Sequence, residues 1–219
     1  MKILLVHNYY RSGTPGGEDV VFDQERALLT GAGYKVVSYI RHNDEMQEGS
    51  LADALRVSAG LRRSRRTRRE LGDVLARERP QIAHFHNTFP LISASGYEAC
   101  LAARVPVVQT VHNYRQSCAA ATHYREGSVC EACTPRNPWP AVRHRCYRDS
   151  VLGSWAVARM IAANARVGID REGLIDRYIV LTEFAAGRLR DAGIAAERIV
   201  VKPNFIEIPA AVESSRKPF

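Results

Sequence analysis

Along most of the chain, short apolar runs alternate with longer stretches in which apolar residues recur at helical spacing. Lys2 to Val6 is an apolar run that ends in a polar loop, the pattern of a buried parallel strand. That loop, His7 to Gly17, contains Gly13, Pro15, Gly16 and Gly17. A helix is expected from Glu18-Asp19, two acids placed where the helix dipole favours them. Its stripe reads Val21, Phe22, Leu28, Leu29 and Ala32, and Gly31 or Gly33 ends it. Glu25 falls inside that stripe, and the pattern gives no reason for it. Lys35 to Ile40 is a second strand.

Residues 43–60 read as irregular or weakly helical. Arg62 to Arg79 is expected to be helical, with Leu71, Val74 and Leu75 facing inward and Pro80 closing it. Gln81 to Phe85 is a third strand. Ser93 to Arg104 is a helix with Ala94, Tyr97, Leu101 and Cys100 on its inner side. The near-continuous apolar run Val105 to Val111 is a fourth strand, buried on both faces.

The alternation breaks at His112. Residues 113–149 hold four of the five cysteines, the corner Asn137-Pro138-Trp139-Pro140, and a turn signal at Glu126-Gly127 that predicts a small hairpin. Regular structure resumes with a helix at Leu152 to Ala165, a strand at Tyr178 to Leu181, a helix at Glu183 to Ala192 and a strand at Arg198 to Val201. Pro203-Asn204-Phe205 and a polar tail, Glu213 to Lys217, follow. Strands alternating with helices imply an α/β fold: a Rossmann-like, doubly wound parallel sheet with right-handed crossovers and an irregular cysteine-containing insert.

Composition adds little against this picture. Hydrophobic residues at 46% and charged residues at 25% are ordinary globular usage. The opening apolar run is too short for a secretory signal, and no stretch reaches the ~18 apolar residues of a membrane span. A cytoplasmic protein is therefore expected. The net charge of +8 is local, because Arg62, Arg63, Arg65, Arg66, Arg68 and Arg69 supply most of it. Such a run is either a solvated helix face or a patch for an anionic surface. The arginines lack interleaved aromatics and lie far from the cysteines, so no nucleic acid partner is expected.

Cys118, Cys130, Cys133 and Cys146 are spaced C-x11-C-x2-C-x12-C. The central pair has the spacing at which one turn presents two thiolates to a tetrahedral ion. The segment is poor in apolar residues, and a structural zinc would supply folding energy that packing does not. His144 and His123 compete with Cys118 for the outer positions, and free buried thiols or disulfides are the alternatives. Cys100 reads as core.

In doubly wound sheets, ligands bind beyond the carboxyl ends of the strands. Gly16, Gly17 and Glu18 stand before a helix there, a place suited to an anion. A dinucleotide fingerprint does not fit: the loop is long, its glycines are adjacent, and no acid ends the second strand. His7, His84, His86 and His112 all fall at predicted strand ends, with His84 and His86 on one side of their strand.

Five segments in order resemble the family 4 glycosyltransferases, which have the GT-B fold. They are Met1 to Tyr10 with Pro15-Gly16-Gly17-Glu18 and Val36-Val37; Pro80 to Thr88; Pro106 to Tyr114; Leu181-Thr182-Glu183; and Val201-Lys202-Pro203-Asn204. The resemblance spans residues 1–206 and implies a first, acceptor-binding domain, with 113–149 as an insert inside it. It implies that 207–219 begins a linker to a carboxyl-terminal domain absent from this sequence, which would bind most of the nucleotide-sugar donor. By the same resemblance His112 is the catalytic-site histidine beside the transferred sugar. Gly16, Gly17, Glu18, His86, Asn87, Thr182 and Glu183 would contact substrate. Hexosyl transfer to a saccharide or lipid-linked acceptor, retaining and without a catalytic metal, is the implied reaction, in cell-envelope or polysaccharide biosynthesis. The isolated chain is expected to be inactive. A peripheral position on the inner face of the membrane, held by Arg62–Arg69, fits that reading. The competing class is a non-catalytic zinc-bearing module for an anionic partner, membrane or nucleic acid.

Overall fold

A computed structural model describes residues 1–46, 51–166 and 174–205, with residues 51–55 described by backbone alone. The expected linker at 207–219, the domain end at 206 and the polar tail lie outside the described residues.

The chain alternates as its pattern predicts. Strand β1 (Lys2–Tyr9) leads to helix α1 (Gly17–Gly31) and β2 (Lys35–His42), then a 3-10 turn at Asn43–Glu45. Helices α2 (Leu51–Gly60) and α3 (Arg65–Glu78) precede β3 (Ile82–Phe85), α4 (Ser95–Ala102) and β4 (Val107–Val111). The insert holds the small antiparallel pair β5 (Tyr124–Arg125) and β6 (Ser128–Val129) around Glu126-Gly127, and a short helix α5 (Pro140–Arg143). Gly127 sits at φ 81°, the left-handed region that the turn needs and glycine adopts freely. Helix α6 (Val151–Asn164), β7 (Arg177–Val180), α7 (Glu183–Asp191) and β8 (Ile199–Val201) complete the domain.

The main sheet has six parallel strands in the order β2-β1-β3-β4-β7-β8. Strand order reverses between β1 and β3, so a crevice opens beyond their carboxyl ends. Successive side chains alternate between two faces. On one, Ile3, Leu5 and Ile82 pack against Phe22 of α1. On the other, Leu4, Val6, Ala83, Phe85 and Val107 pack with Leu71 and Leu75 of α3, Ala99 and Cys100 of α4, and Leu189 of α7. Each leucine buried in this way stabilises the fold by ~1.5–3 kcal/mol. Gly96 permits the close approach of α4, since a Cβ there would lie 2.7 Å from the Phe85 ring. A satellite cluster under the insert joins Ala119, Ala141, Val157 and Ile161 to Leu61, with Cys133 and Cys146 packed on it.

Two expected inner faces are corrected. Leu28 of α1 is 51% exposed and Ala32 is exposed, whereas Asp19, Phe22 and Glu25 are the buried positions. The helix is rotated so that two acids flank one aromatic on its inner side, a phase that hydrophobicity alone cannot register. In α4, Leu101 is 53% exposed, while Ser95, Gly96, Ala99 and Cys100 face the sheet. Small residues set this contact because the helix lies close to Phe85.

Candidate functional site

The crevice is built where β1, β3 and β4 end. The backbone ladder continues past the strands there: His86 N donates to Val6 O at 2.9 Å, and Asn8 N donates to Asn87 O at 2.8 Å. Four histidines stand along this crest, and each has a different set of partners.

His7 is fully buried, its ring stacked on Phe22 at 4.6 Å between centroids. Its Nε2 lies 2.7 Å from Asp19 Oδ1, and its Nδ1 accepts from the Asn87 backbone N–H at 3.3 Å. Nε2 therefore carries the proton. Burial lowers the pKa of His7, against the opposing effect of Asp19. Asp19 Oδ2 also accepts from Gly16 N at 2.8 Å, so one carboxylate caps α1 and fixes His7.

His84 Nε2 meets Thr110 Oγ1 at 2.7 Å, and its Nδ1 lies 3.4 Å from Glu25 Oε1. His86 Nδ1 meets His112 Nε2 at 3.0 Å, and its Nε2 lies 3.6 Å from Glu25 Oε2. The His84 and His86 rings are 4.5 Å apart, on one side of the strand as alternation predicts. Burial holds His84 and His112 down at about 4 and His86 well below its ordinary value, so all three are neutral near pH 7. Glu25 thus has its explanation: it is the acid beneath the histidine crest, reached from outside by Lys202 Nζ at 3.3 Å.

In front of the crest lies a cavity of about 120 Å³ lined by Glu18, His86, Asn87, His112, Asn113 and Arg115, among others. Burial raises the Glu18 carboxyl above its usual range, and Asn113 Nδ2 lies 3.5 Å from Glu18 Oε2. A second cavity, lined by Thr182, Arg188 and Gln116, shares His112 and Asn113 with the first.

Of the residues singled out in the sequence, Glu18, His86, Asn87 and His112 meet at the first cavity, and Thr182 lines the second. Thr182 also caps α7, its hydroxyl accepting from Ala185 N at 3.1 Å. Glu183 opens that helix and is exposed. Gly16 and Gly17 line neither cavity. The Gly16 N–H is taken by Asp19, and a Cβ at Gly16 would lie 2.5 Å from the Tyr10 ring. Glycine there makes room for Tyr10, which lines the first cavity.

Sequence reasoning missed Asp19 as a partner of His7, along with Lys202, Arg115 and Gln109. Gln109 donates to His86 O and accepts from Tyr97 OH, each at 2.6 Å, which holds the His86 backbone. A glutamine inside an otherwise apolar strand was the available signal.

The four insert cysteines are free thiols. Burial pushes the Cys133 thiol up, and the proximity of Cys118, Cys146 and Cys130 adds to it. Cys146 is raised by burial and by Cys118 and Cys130 in the same way. Among the described residues, the group of three or more metal-binding side chains with donor atoms all within 4.8 Å of one another is Glu25, His84 and His86.

All six arginines of the run are exposed. Arg63 pairs with Glu98 at 3.1 Å, and Arg66 with Glu70 and Glu45 at 2.6 and 2.8 Å. No described helix is long and apolar enough to cross a membrane.

The profile of Glycosyltransferase Family 4 matches residues 15–208. No curated protein matches the chain. Solved structures with a similar course include Staphylococcus aureus MnaA with UDP, at 15% identity and a TM-score of 0.48, covering 93% of this chain and 44% of that one. UDP-GlcNAc 2-epimerase from Neisseria meningitidis bound to UDP-GlcNAc aligns at 15% identity and 0.46, covering 93% and 46%. Acinetobacter baumannii MurG aligns at 10% identity and 0.43, covering 96% and 47%. The chain spans less than half the length of each.

Proposed function

The chain belongs to glycosyltransferase family 4, and from that premise we propose that it is the acceptor-side half of a two-domain, nucleotide-sugar-dependent transferase. The observation that carries this reading is the meeting of His112, His86, Glu18, Asn87 and Asn113 at one cavity on the switch-point crest. The facing wall, with most of the donor site, belongs to a second α/β domain of a GT-B architecture.

The chain's own residues have separable tasks in that cleft. His112 stands beside the transferred sugar as a neutral imidazole. In the tautomer in which His86 donates from Nδ1, His112 accepts at Nε2 and keeps its own proton on Nδ1. That N–H suits a sugar hydroxyl or the oxygen on which charge develops, and it makes His112 an orienting and polarising group rather than a general base. Asn87, Asn113 and Glu18 offer donors and acceptors to acceptor hydroxyls. Transfer of a hexosyl unit with retention, and with no metal at the reacting centre, follows from the family resemblance. The acceptor is a saccharide or a lipid-linked saccharide of cell-envelope or polysaccharide synthesis. A structural zinc held by Cys118, Cys130, Cys133 and Cys146 would close the insert, and the arginine face at Arg62–Arg69 would meet an anionic inner leaflet.

The test is transfer by the complete protein, followed with radiolabelled nucleotide sugars and membrane or saccharide acceptors. Turnover that requires both domains supports the reading. A complete protein that binds saccharide but transfers nothing from any nucleotide sugar would place it among binding modules.

A further inference from the structure

Behind the cleft wall, Glu25, His84 and His86 face one another with their donor atoms all within 4.8 Å. Glu25, His84 and His86 are 7%, 6% and 2% exposed. Their nearest approaches, 3.4 Å from His84 Nδ1 to Glu25 Oε1 and 3.6 Å from His86 Nε2 to Glu25 Oε2, are long for hydrogen bonds. Glu25 Oε2 and His86 Nε2 are both buried without a hydrogen-bond partner. A carboxylate and an imidazole nitrogen so placed should close to about 2.8 Å if a proton lay between them, since leaving both unpaired costs ~1–3 kcal/mol each.

The outer sides of both rings are engaged. Thr110 takes His84 Nε2, and His112 takes His86 Nδ1. If those outer nitrogens carry the protons, the inner nitrogens present lone pairs to Glu25, as metal-bound histidines do when their second nitrogen is held by a neighbour. Adjacent ligands of a tetrahedral ion with bonds of ~2.0–2.1 Å lie about 3.3–3.4 Å apart; each imidazole nitrogen stands near that distance from its own Glu25 oxygen, Oε1 for His84 and Oε2 for His86, and one donor atom from each of the three residues lies within 4.8 Å of the others.

We propose that Glu25, His84 and His86 form a buried site for one divalent first-row cation, zinc in class, beneath the catalytic crest. Two imidazoles and one carboxylate suit zinc and its neighbours rather than magnesium or calcium. Lys202 Nζ, 3.3 Å from Glu25 Oε1 and 42% exposed, is the counter-ion of the metal-free state, and it can turn outward when an ion enters. The ion lies behind His86, apart from the insert cysteines. Its task is positioning: a cation on His86 Nε2 keeps the proton on Nδ1, and that proton fixes His112 Nε2 as acceptor.

The experiment is cobalt titration of the chelator-stripped complete protein under reducing conditions, followed by visible absorption. The cysteine region, if it binds, gives intense thiolate charge-transfer bands, whereas this site gives weak visible bands without them. One equivalent of the weak type is expected in the unmodified protein. Glu25→Gln should weaken it by at least tenfold, and Lys202→Ala should tighten it by about tenfold once the competing cation is gone. Saturation without any band of the weak type overturns the proposal, and needs no variant to do so. So does uptake that is unchanged in Glu25→Gln, or a Lys202→Ala protein whose cobalt affinity does not rise.

Discussion

His86 and His112, which end adjacent strands, stand with Nδ1 and Nε2 3.0 Å apart and their rings stacked at 20°, centroids 5.2 Å from each other. The pair ties His112 to the buried acid Glu25 through a single imidazole. It also makes the chemistry of His112 depend on a neighbour in the same cavity wall.

His112→Ala in the complete protein should abolish transfer, by a factor of at least about a hundred, if His112 stabilises charge at the reacting centre. Circular dichroism and the unfolding midpoint should stay near those of the parent, because the residue lies at the crest and not in the core. Unchanged kcat in a folded variant would remove His112 from the site.

Gly16→Ala tests the role assigned to the glycine loop. The added Cβ would fall 2.5 Å from the Tyr10 ring, so Tyr10 must move or the start of α1 must shift. A loss of about 1–3 kcal/mol in urea unfolding is expected, as for other overpacked sites. Gly17→Ala, with nothing within 4 Å of its Cβ, is the control and should cost less than about 1 kcal/mol. If the two variants behaved alike, the loop would not be acting through this contact.

Glu45 gives the fold a measurable acid sensitivity. Burial alone would raise its carboxyl, but hydrogen bonds from Arg41 and the His42 N–H, with Arg66 nearby, outweigh burial and hold it down to about 2. A carboxyl depressed in the folded state contributes stability above its unfolded value of 4.5, and that contribution fades as pH falls toward about 2. Unfolding measured from pH 6 to pH 2.5 should therefore show a slope that Glu45→Gln reduces. At pH 7 that variant should be less stable by about 1–3 kcal/mol, since it takes from the buried Arg41 guanidinium its carboxylate partner and one of the two hydrogen bonds to residue 45. A slope identical in parent and variant would mean that the pair does not contribute.

Elemental analysis decides the insert. After metal-replete expression, the complete protein should hold one zinc that Cys130→Ser/Cys133→Ser loses, with a drop in the unfolding midpoint. No zinc in the parent that depends on these cysteines would leave the four as free thiols.

Co-sedimentation with vesicles checks the arginine face. Binding to phosphatidylserine-containing vesicles should exceed binding to phosphatidylcholine, with ~1 kcal/mol for each arginine near the surface. Replacing Arg62, Arg65, Arg68 and Arg69 by Ser should remove the difference. Equal partitioning of the parent would mark the run as a solvated helix face.

Most of the sheet was legible in the sequence. Apolar runs of four to eight residues divided by helical stretches fix a parallel α/β order, because both faces of such strands must be covered. The hairpin at Glu126-Gly127 was legible for a similarly local reason, as its turn needs a residue free to adopt positive φ. Strand ends also pointed to the histidines, since open α/β sheets bind ligands there.

What the sequence could not supply was the rotation of α1. Leu28 belongs to the apolar stripe and faces solvent, while Glu25 breaks the stripe and faces the core. Hydrophobic periodicity scores the helix by its own residues, but the inward face is chosen by what waits on the sheet. Here that is His7, His84 and His86, brought together from β1 and β3, whose residues lie some eighty positions apart and become neighbours only when the strands pair. Local pattern determined the elements, their order and their crest; only tertiary pairing decided that an acid belongs beneath it, because a buried carboxylate is tolerable only where histidines and Lys202 already stand.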